Sequence, residues 1–282
     1  MSGEDRRAFF RGIARSAAEM AGPPPQPLPE ADSPGASGLS EAEVERYSRQ
    51  LVLPEWSEQA QLALRGASVL VVGAGALGSP VASYLAGAGV GRLGIVDSDD
   101  VELSNLHRQP LHFTPDLGVA KALSAAAKLR FLNPDVVVEP YQARFGAPML
   151  EGADLVVDGS DSFATRYEVN AACCAARIPL VEGGVIGLSG LVMAIRPGES
   201  ACYRCAFPEP PPPGAQPSCA EAGVLGPAAG VIGSLQALEA LKLLAGLEGA
   251  LLDAFLQVDL HDHGFLRVAV SRREDCPDCG AL

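Results

Sequence analysis

A glycine-rich turn between a β-branched run and a helix leaves this chain few folds to choose from. Ala67-Ser68-Val69-Leu70-Val71-Val72 is a short, unbroken stretch of the kind buried on both faces of a parallel sheet. It runs into Gly73-Ala74-Gly75-Ala76-Leu77-Gly78, after which Pro80 to Ala88 reads as helix and Leu93 to Asp97 as a second strand. Two strands joined through a helix form a βαβ unit. Glycines at such a turn let backbone N–H groups approach a phosphate at the positive end of the helix. Asp97 stands 19 residues beyond Gly78, at the end of the second strand, where a carboxylate accepts hydrogen bonds from ribose hydroxyls. The constellation predicts a nucleotide site without saying which nucleotide.

Further along, a helix is expected over Leu117 to Phe131, stopped by Asn133-Pro134, followed by strands at Val136 to Glu139 and Leu155 to Asp158. A helix over Phe163 to Ala176 leads to a strand at Ile178 to Glu182. Strands at Leu191 to Ile195, Ala254 to Val258 and Phe265 to Val270, with a long helix over Ala228 to Ala245, complete a mixed sheet. The expected fold is therefore α/β: a Rossmann-like nucleotide-binding fold with a mixed central sheet.

The 282 residues suit one large α/β unit. Ala21 to Gly38 is rich in Pro, Gly, Ser and Ala and buries too little apolar surface to order itself, so residues 1–38 are expected to be a flexible tail and residues 39–282 the folded domain. Ser40 followed by Glu43 is a capping box that opens a helix toward Arg49. Phe207 to Pro217, with four prolines in a row from Pro210 to Pro213, reads as a mobile surface loop. A net charge of −13 gives no general electrostatic reason to bind nucleic acid or anionic lipid. Arg6-Arg7 is similar to a twin-arginine signal, but Arg15 and Glu19 interrupt the apolar stretch that should follow. The most apolar run, Ala228 to Leu247, is broken by Ser234, Gln236, Glu239 and Lys242, so a soluble, cytoplasmic chain without a membrane partner is expected.

Seven cysteines include two C-x-x-C pairs, Cys202/Cys205 and Cys276/Cys279. Their two-residue spacers suit a tetrahedral four-thiolate Zn²⁺ site that clips the C-terminal part of the chain to the segment before the Pro-rich loop. Two separate redox pairs are the weaker alternative, because neither pair opens a thioredoxin-like helix. Cys173 and Cys174 read as small core residues. His112, His261 and His263 have no ligand or catalytic spacing.

A nicotinamide oxidoreductase shares the glycine turn. The chain beyond Asp97, however, carries Ser104-Asn105-Leu106-His107-Arg108-Gln109, Lys121, and Asp158-Gly159-Ser160-Asp161. Two cations, an amide and a carboxylate at strand ends are what a triphosphate and its Mg²⁺ require. A nicotinamide needs none of them.

Together with Arg46-Tyr47-Ser48-Arg49-Gln50, Gly118-x-x-Lys121, Cys202-Tyr203-Arg204-Cys205, Ser218 to Val224 and Cys276-Pro277-Asp278-Cys279, these motifs resemble the MoeB/ThiF/HesA family. These proteins are bacterial relatives of the ubiquitin-activating enzymes, and the likeness runs from about Leu39 to Gly280 and is nearest to the molybdopterin-synthase adenylyltransferase branch. The resemblance implies ATP-dependent adenylation of the C-terminal glycine of a small ubiquitin-like sulfur carrier ending in Gly-Gly, for molybdopterin or thiamin-type sulfur transfer. It implies that Gly73, Gly75, Gly78 and Asp97 hold ATP, with Ser104 and Ser162 beside it. Asn105, Arg108 and Lys121 would contact phosphates, Asp161 would hold Mg²⁺, and Arg49 would reach in from the partner subunit of a homodimer. Ala76 and Ser162 depart from the family, which often has Gly and Asn there. Cys219 has two readings: a nucleophile that links covalently to the carrier, as proposed for relatives, or a small loop residue. A non-catalytic zinc-stabilised scaffold that binds the carrier is the remaining alternative, and the full polar set argues against it.

Overall fold

The computed structural model describes residues 38–210, 212 and 223–282. The expected tail up to residue 37, most of the expected mobile loop, and Cys219 just beyond that loop lie outside the described residues. The chain divides into two units between Glu45 and Arg46. In the first, the Ser40/Glu43 capping box forms: Glu43 N–H donates to Ser40 Oγ at 3.2 Å, and Ser40 N–H to Glu43 Oε2 at 2.8 Å.

That box opens helix α1 (Glu41–Arg46). The expected single helix toward Arg49 is interrupted, because Tyr47 leaves helical geometry at φ −98° and ψ 10°, and Arg49 sits on a separate short helix, α2 (Ser48–Leu51). Helix α3 (Glu58–Gly66), which the sequence reading left out, is capped by Ser57, whose Oγ accepts Ala60 N–H at 3.1 Å. Then come β1 (Ser68–Val72), α4 (Gly78–Ala88) and β2 (Arg92–Val96). Helix α5 (Lys121–Leu132) starts four residues later than expected, because Thr114–Asp116 forms a 3₁₀ turn and Gly118 takes φ +79°. Strands β3 (Val137–Tyr141) and β4 (Leu155–Asp158) precede α6 (Phe163–Ala176). Next are β5 (Leu180–Ile186), β6 (Ser189–Ile195), α7 (Tyr203–Ala206), α8 (Gly226–Ala245), β7 (Ala254–Asp259) and β8 (Gly264–Ala269).

The eight strands form one sheet in the order β3-β2-β1-β4-β5-β6-β7-β8. β3 through β5 are parallel, and β5 through β8 pair antiparallel. The order reverses between β1 and β4, so the crevice beyond their carboxyl ends is the place where such sheets bind ligands. Alternating side chains fill two core layers. Val69, Val71, Leu93, Ile95 and Val157 pack with Leu64 of α3, Val81 and Leu85 of α4 and Ile232 of α8, while Leu70, Val72 and Val156 pack with Val169 of α6 on the opposite face. Among the described residues one helix, α8, is long and apolar enough to cross a membrane by length and composition, with mean hydropathy 1.3. It is a core helix here. Its buried Gln236 donates to Asp158 O at 2.6 Å, and its Glu239 accepts from Leu251 N–H and Lys242.

Candidate active site and metal cluster

At the end of β1 the chain turns through Gly73, whose φ is +91° and whose missing Cβ would lie 2.9 Å from Gly159 O. A Cβ on Gly78 would lie 1.8 Å from Gly73 O, so the third glycine serves close packing of helix on turn. At Gly75 a built Cβ would meet only Gln109 Nε2, at an ordinary van der Waals distance of 3.6 Å, so the second glycine is not required by packing within the protein. A cleft of about 460 Å³ opens there.

Gly73, Gly75, Asp97, Arg108, Lys121, Asp161 and Ser162 all line it. So does Ala76, at the start of the turn-to-helix step. Asp97 Oδ2 accepts Ala74 N–H and Oδ1 accepts Asp99 N–H, both at 2.8 Å, so the acid braces the turn as well as facing the cleft. Burial pushes its carboxyl above the ordinary value, opposed by those two N–H groups and by the Lys121 charge. The nearly buried Lys121 ammonium lies 2.8 Å from Asp99 Oδ2 and holds that carboxyl below its ordinary value against partial burial. Arg108 Nη1 donates to Ser104 O at 2.6 Å.

Other expected residues take different places. Ser104 and Asn105 are not part of the cleft wall: Ser104 Oγ donates to Glu102 Oε2 at 3.1 Å, and the buried Asn105 amide oxygen accepts Glu102 N–H at 3.1 Å, closing a 3₁₀ turn. Gly78 lies behind the turn. Ser162 caps α6, its Oγ accepting Thr165 N–H at 3.5 Å. Arg49 is exposed on α2 and does not line this chain's own cleft. Its short helix is anchored by Gln50, which donates to Gln61 Oε1 at 2.8 Å and to Ala88 O at 3.3 Å.

The cleft also gathers residues that the sequence reading did not single out: Asp99, Arg144, Arg166 and Glu168. Gln109 presents a buried Oε1 with no partner in the protein. Beneath the floor, Arg166 Nε lies 3.5 Å from Glu182 Oε1, both side chains buried. Burial and the neighbouring Asp158 push the Glu182 carboxyl well above its ordinary value, while the Arg166 charge opposes them. Four cations, Arg108, Lys121, Arg144 and Arg166, thus face one cleft together with four carboxylates, Asp97, Asp99, Asp161 and Glu168. A lining of both signs suits a polyanion that carries its own metal ion at a glycine turn.

In the core layer that α6 packs on, Cys202, Cys205, Cys276 and Cys279 are buried with their sulfurs all within 4.8 Å of one another. The Cys202–Cys276 and Cys205–Cys279 separations of 3.6 and 3.4 Å, and 3.8 Å for Cys202–Cys205, approach the edge of about 3.8 Å that a tetrahedron with 2.3 Å metal–sulfur bonds requires. The four could hold one metal ion. Arg273 N–H points at Cys205 Sγ at 3.4 Å, and Asn170 of α6 ties both knuckles together, accepting Tyr203 N–H at 2.9 Å and donating to Asp278 Oδ2 at 2.7 Å. Cys173 and Cys174 are core residues of α6, as expected.

The fold and site define an α/β nucleotide-binding protein with a cysteine-clipped C-terminal part. Residues 47–278 match the ThiF family, and the chain belongs to it. The sulfur carrier protein adenylyltransferase of Thermus thermophilus is 49% identical over 247 residues, 84% of this chain and 91% of that protein. The SAMP-activating enzyme E1 of Haloferax volcanii is 46% identical, over 86% of this chain and 91% of that one. The adenylyltransferase and sulfurtransferase MOCS3 of Sus scrofa is 49% identical over 90% of this chain, which spans 57% of that longer relative. Among solved structures, E. coli MccB with ATP matches with a TM-score of 0.75 over 83% of this chain and 74% of that one. Its 23% identity makes this a likeness of fold.

The Lys121–Asp99 pair yields a direct test. In Lys121→Met the Asp99 carboxyl should return toward or above its ordinary value, because burial persists while the ion pair is gone. The stabilisation that the pair gives wild type is present at neutral pH and lost as pH falls through the depressed Asp99 value. Carboxyl-carbon NMR titration reads the shift; an Asp99 curve identical in both proteins would contradict the pairing.

Proposed function

We propose that this chain uses ATP to adenylate the C-terminal glycine of a small ubiquitin-like sulfur carrier ending in Gly-Gly, releasing pyrophosphate, in molybdopterin or thiamin-type sulfur transfer. The observation that carries this reading is the gathering of Arg108, Lys121, Arg144 and Arg166 around the glycine turn of a −13 chain. The names of its relatives support it. A carboxylate oxygen of the carrier attacks the α-phosphorus; the bond to the bridging oxygen breaks, and pyrophosphate leaves with the electron pair. No side-chain base is needed, because the attacking group is already ionised. Catalysis is positioning plus neutralisation of charge. Phosphate oxygens would compete with Asp99 for the Lys121 ammonium, and the unpartnered Gln109 Oε1 is free to accept from a ligand donor. Asp161, exposed at the cleft edge, would hold Mg²⁺, which supplies further neutralisation when bound. Ser162 would help shape that edge through its cap.

The dehydrogenase alternative needs fewer of these cations, because a dinucleotide brings two phosphates to the turn where ATP brings three. A passive carrier-binding scaffold would not require them.

The reading includes a cytoplasmic homodimer in which Arg49 serves the partner's site; its exposure away from its own cleft supports that assignment. ATP–pyrophosphate exchange with candidate Gly-Gly carriers tests both ideas. Wild type should exchange, and Asp161→Ala and Arg49→Ala should each lose roughly 10²-fold or more. Mixed chains of the two variants should regain activity if sites are shared. Near-normal exchange by Asp161→Ala would refute its role, and no rescue in verified heterodimers would refute the shared site. Cys219→Ser should keep exchange while losing any thiol-sensitive adduct with the carrier.

Zn²⁺ is the ion we assign to Cys202, Cys205, Cys276 and Cys279, because four buried thiols at these separations suit it. Purified protein should contain about one zinc per chain, and Asn170→Ala should weaken zinc retention by roughly ten-fold or more in chelator competition. Metal-free protein with an unchanged melting temperature would contradict the assignment.

A further inference from the structure

The spacing of His112 assigns it no role, yet the fold sets it directly behind the glycine turn. Its ring is 2% exposed. Nε2 lies 2.8 Å from the carbonyl oxygen of Ala74, and Nδ1 lies 2.8 Å from Ser124 Oγ on α5. Lys128 Nζ donates to the same Ser124 Oγ at 2.9 Å. A carbonyl only accepts, so Nε2 must carry the ring proton, and Ala74 thereby sets the tautomer. A neutral ring then presents Nδ1 as an acceptor to the Ser124 hydroxyl, which the Asp116 carboxylate also reaches. Burial, the largest influence on the ring, also holds its proton affinity below the ordinary value.

From the other side, Ala74 N–H donates to Asp97 Oδ2 at 2.8 Å. Both backbone groups of Ala74 are thus held, with Ser79 Oγ adding a longer contact to its carbonyl at 3.5 Å. In a trans peptide the C=O and the next N–H point in opposite directions. Drawing the Ala74 carbonyl toward His112 sends the Gly75 N–H the other way, toward the cleft that Gly75 lines.

We propose that His112 is a positioning residue for the nucleotide: by holding the Ala74 carbonyl it fixes the Ala74–Gly75 peptide so that the Gly75 N–H is preset as a donor to a phosphate of ATP. Asp97 braces the preceding peptide, and the Lys128-Ser124-His112 chain braces this one. The inference rests on the ATP reading above and adds a residue to it. It predicts that nucleotide affinity depends on a side chain that does not touch the nucleotide.

The test compares wild type, His112→Phe and His112→Gln by ATP-binding calorimetry and by KM and kcat of pyrophosphate exchange. Phenylalanine keeps a ring but loses both nitrogens, and should raise the Kd and KM for ATP roughly ten-fold, with a smaller change in kcat. Glutamine can donate to Ala74 and accept from Ser124, and should stay within about three-fold of wild type. If His112→Phe does not fold, Ser124→Ala removes the donor to Nδ1 and should raise KM for ATP by about three-fold. A folded His112→Phe that binds ATP as tightly as wild type overturns the proposal, as does an unchanged KM in Ser124→Ala or equal weakening by Gln and Phe. A wild type that binds no ATP removes the nucleotide reading itself, and this inference with it.

Discussion

Where β1 ends, three backbone segments meet with no room for a side chain between them. Gly73 backs onto Gly159, Gly78 onto the Gly73 carbonyl, and a Cβ on Gly159 would approach Gly78 N to 3.0 Å. This close approach draws the amino end of α4 down onto the sheet at the point where strand order reverses between β1 and β4. The cleft exists because of it. A side chain at Gly78 would push helix from turn, and the N–H groups of the turn would no longer share one concave surface.

Charge is arranged to match that backbone. The chain as a whole repels anions, yet Arg108, Lys121, Arg144 and Arg166 converge from four separate segments on one opening. Lys121 rests on Asp99 and Arg166 on Glu182, so these two cations have a carboxyl partner in the protein alone, while Arg108 is held by the Ser104 carbonyl. Low-dielectric surroundings make such fixed charges more effective than freely hydrated ones. The four cysteines bring the last residues of the chain beside α7 and, through Asn170, beside α6, the helix that carries Arg166. Cysteine cluster and cleft thus share a helix.

Much of this architecture is legible in residue order because it depends on local rules. β1, the glycine turn, α4 and β2 follow from a β-branched run, positional glycines and helix-forming small residues, and α6 matches its expected bounds because Ser162 caps it. Helix α3 does carry a local signal, the Ser57 cap with Ala60, Gln61 and Leu64 on one helical face, but it is short and one of its three buried residues is polar. The site residues divide in the same way. Gly73, Asp97, Lys121 and Asp161 carry motif signals, whereas Arg144 and His112 gain their meaning from partners far away in sequence. Asn105 carries a motif signal too, and its amide oxygen also closes the local turn that leads to Arg108.

The central claim is that this cleft joins AMP to a protein carboxylate. Rapid-quench reactions with a Gly-Gly carrier and ATP labelled in either the α- or the γ-phosphate test it most directly. Label from the α-phosphate should appear on the carrier, and label from the γ-phosphate should leave with pyrophosphate. A carrier that acquires γ-label, or none from either nucleotide while the enzyme binds ATP, would contradict the account.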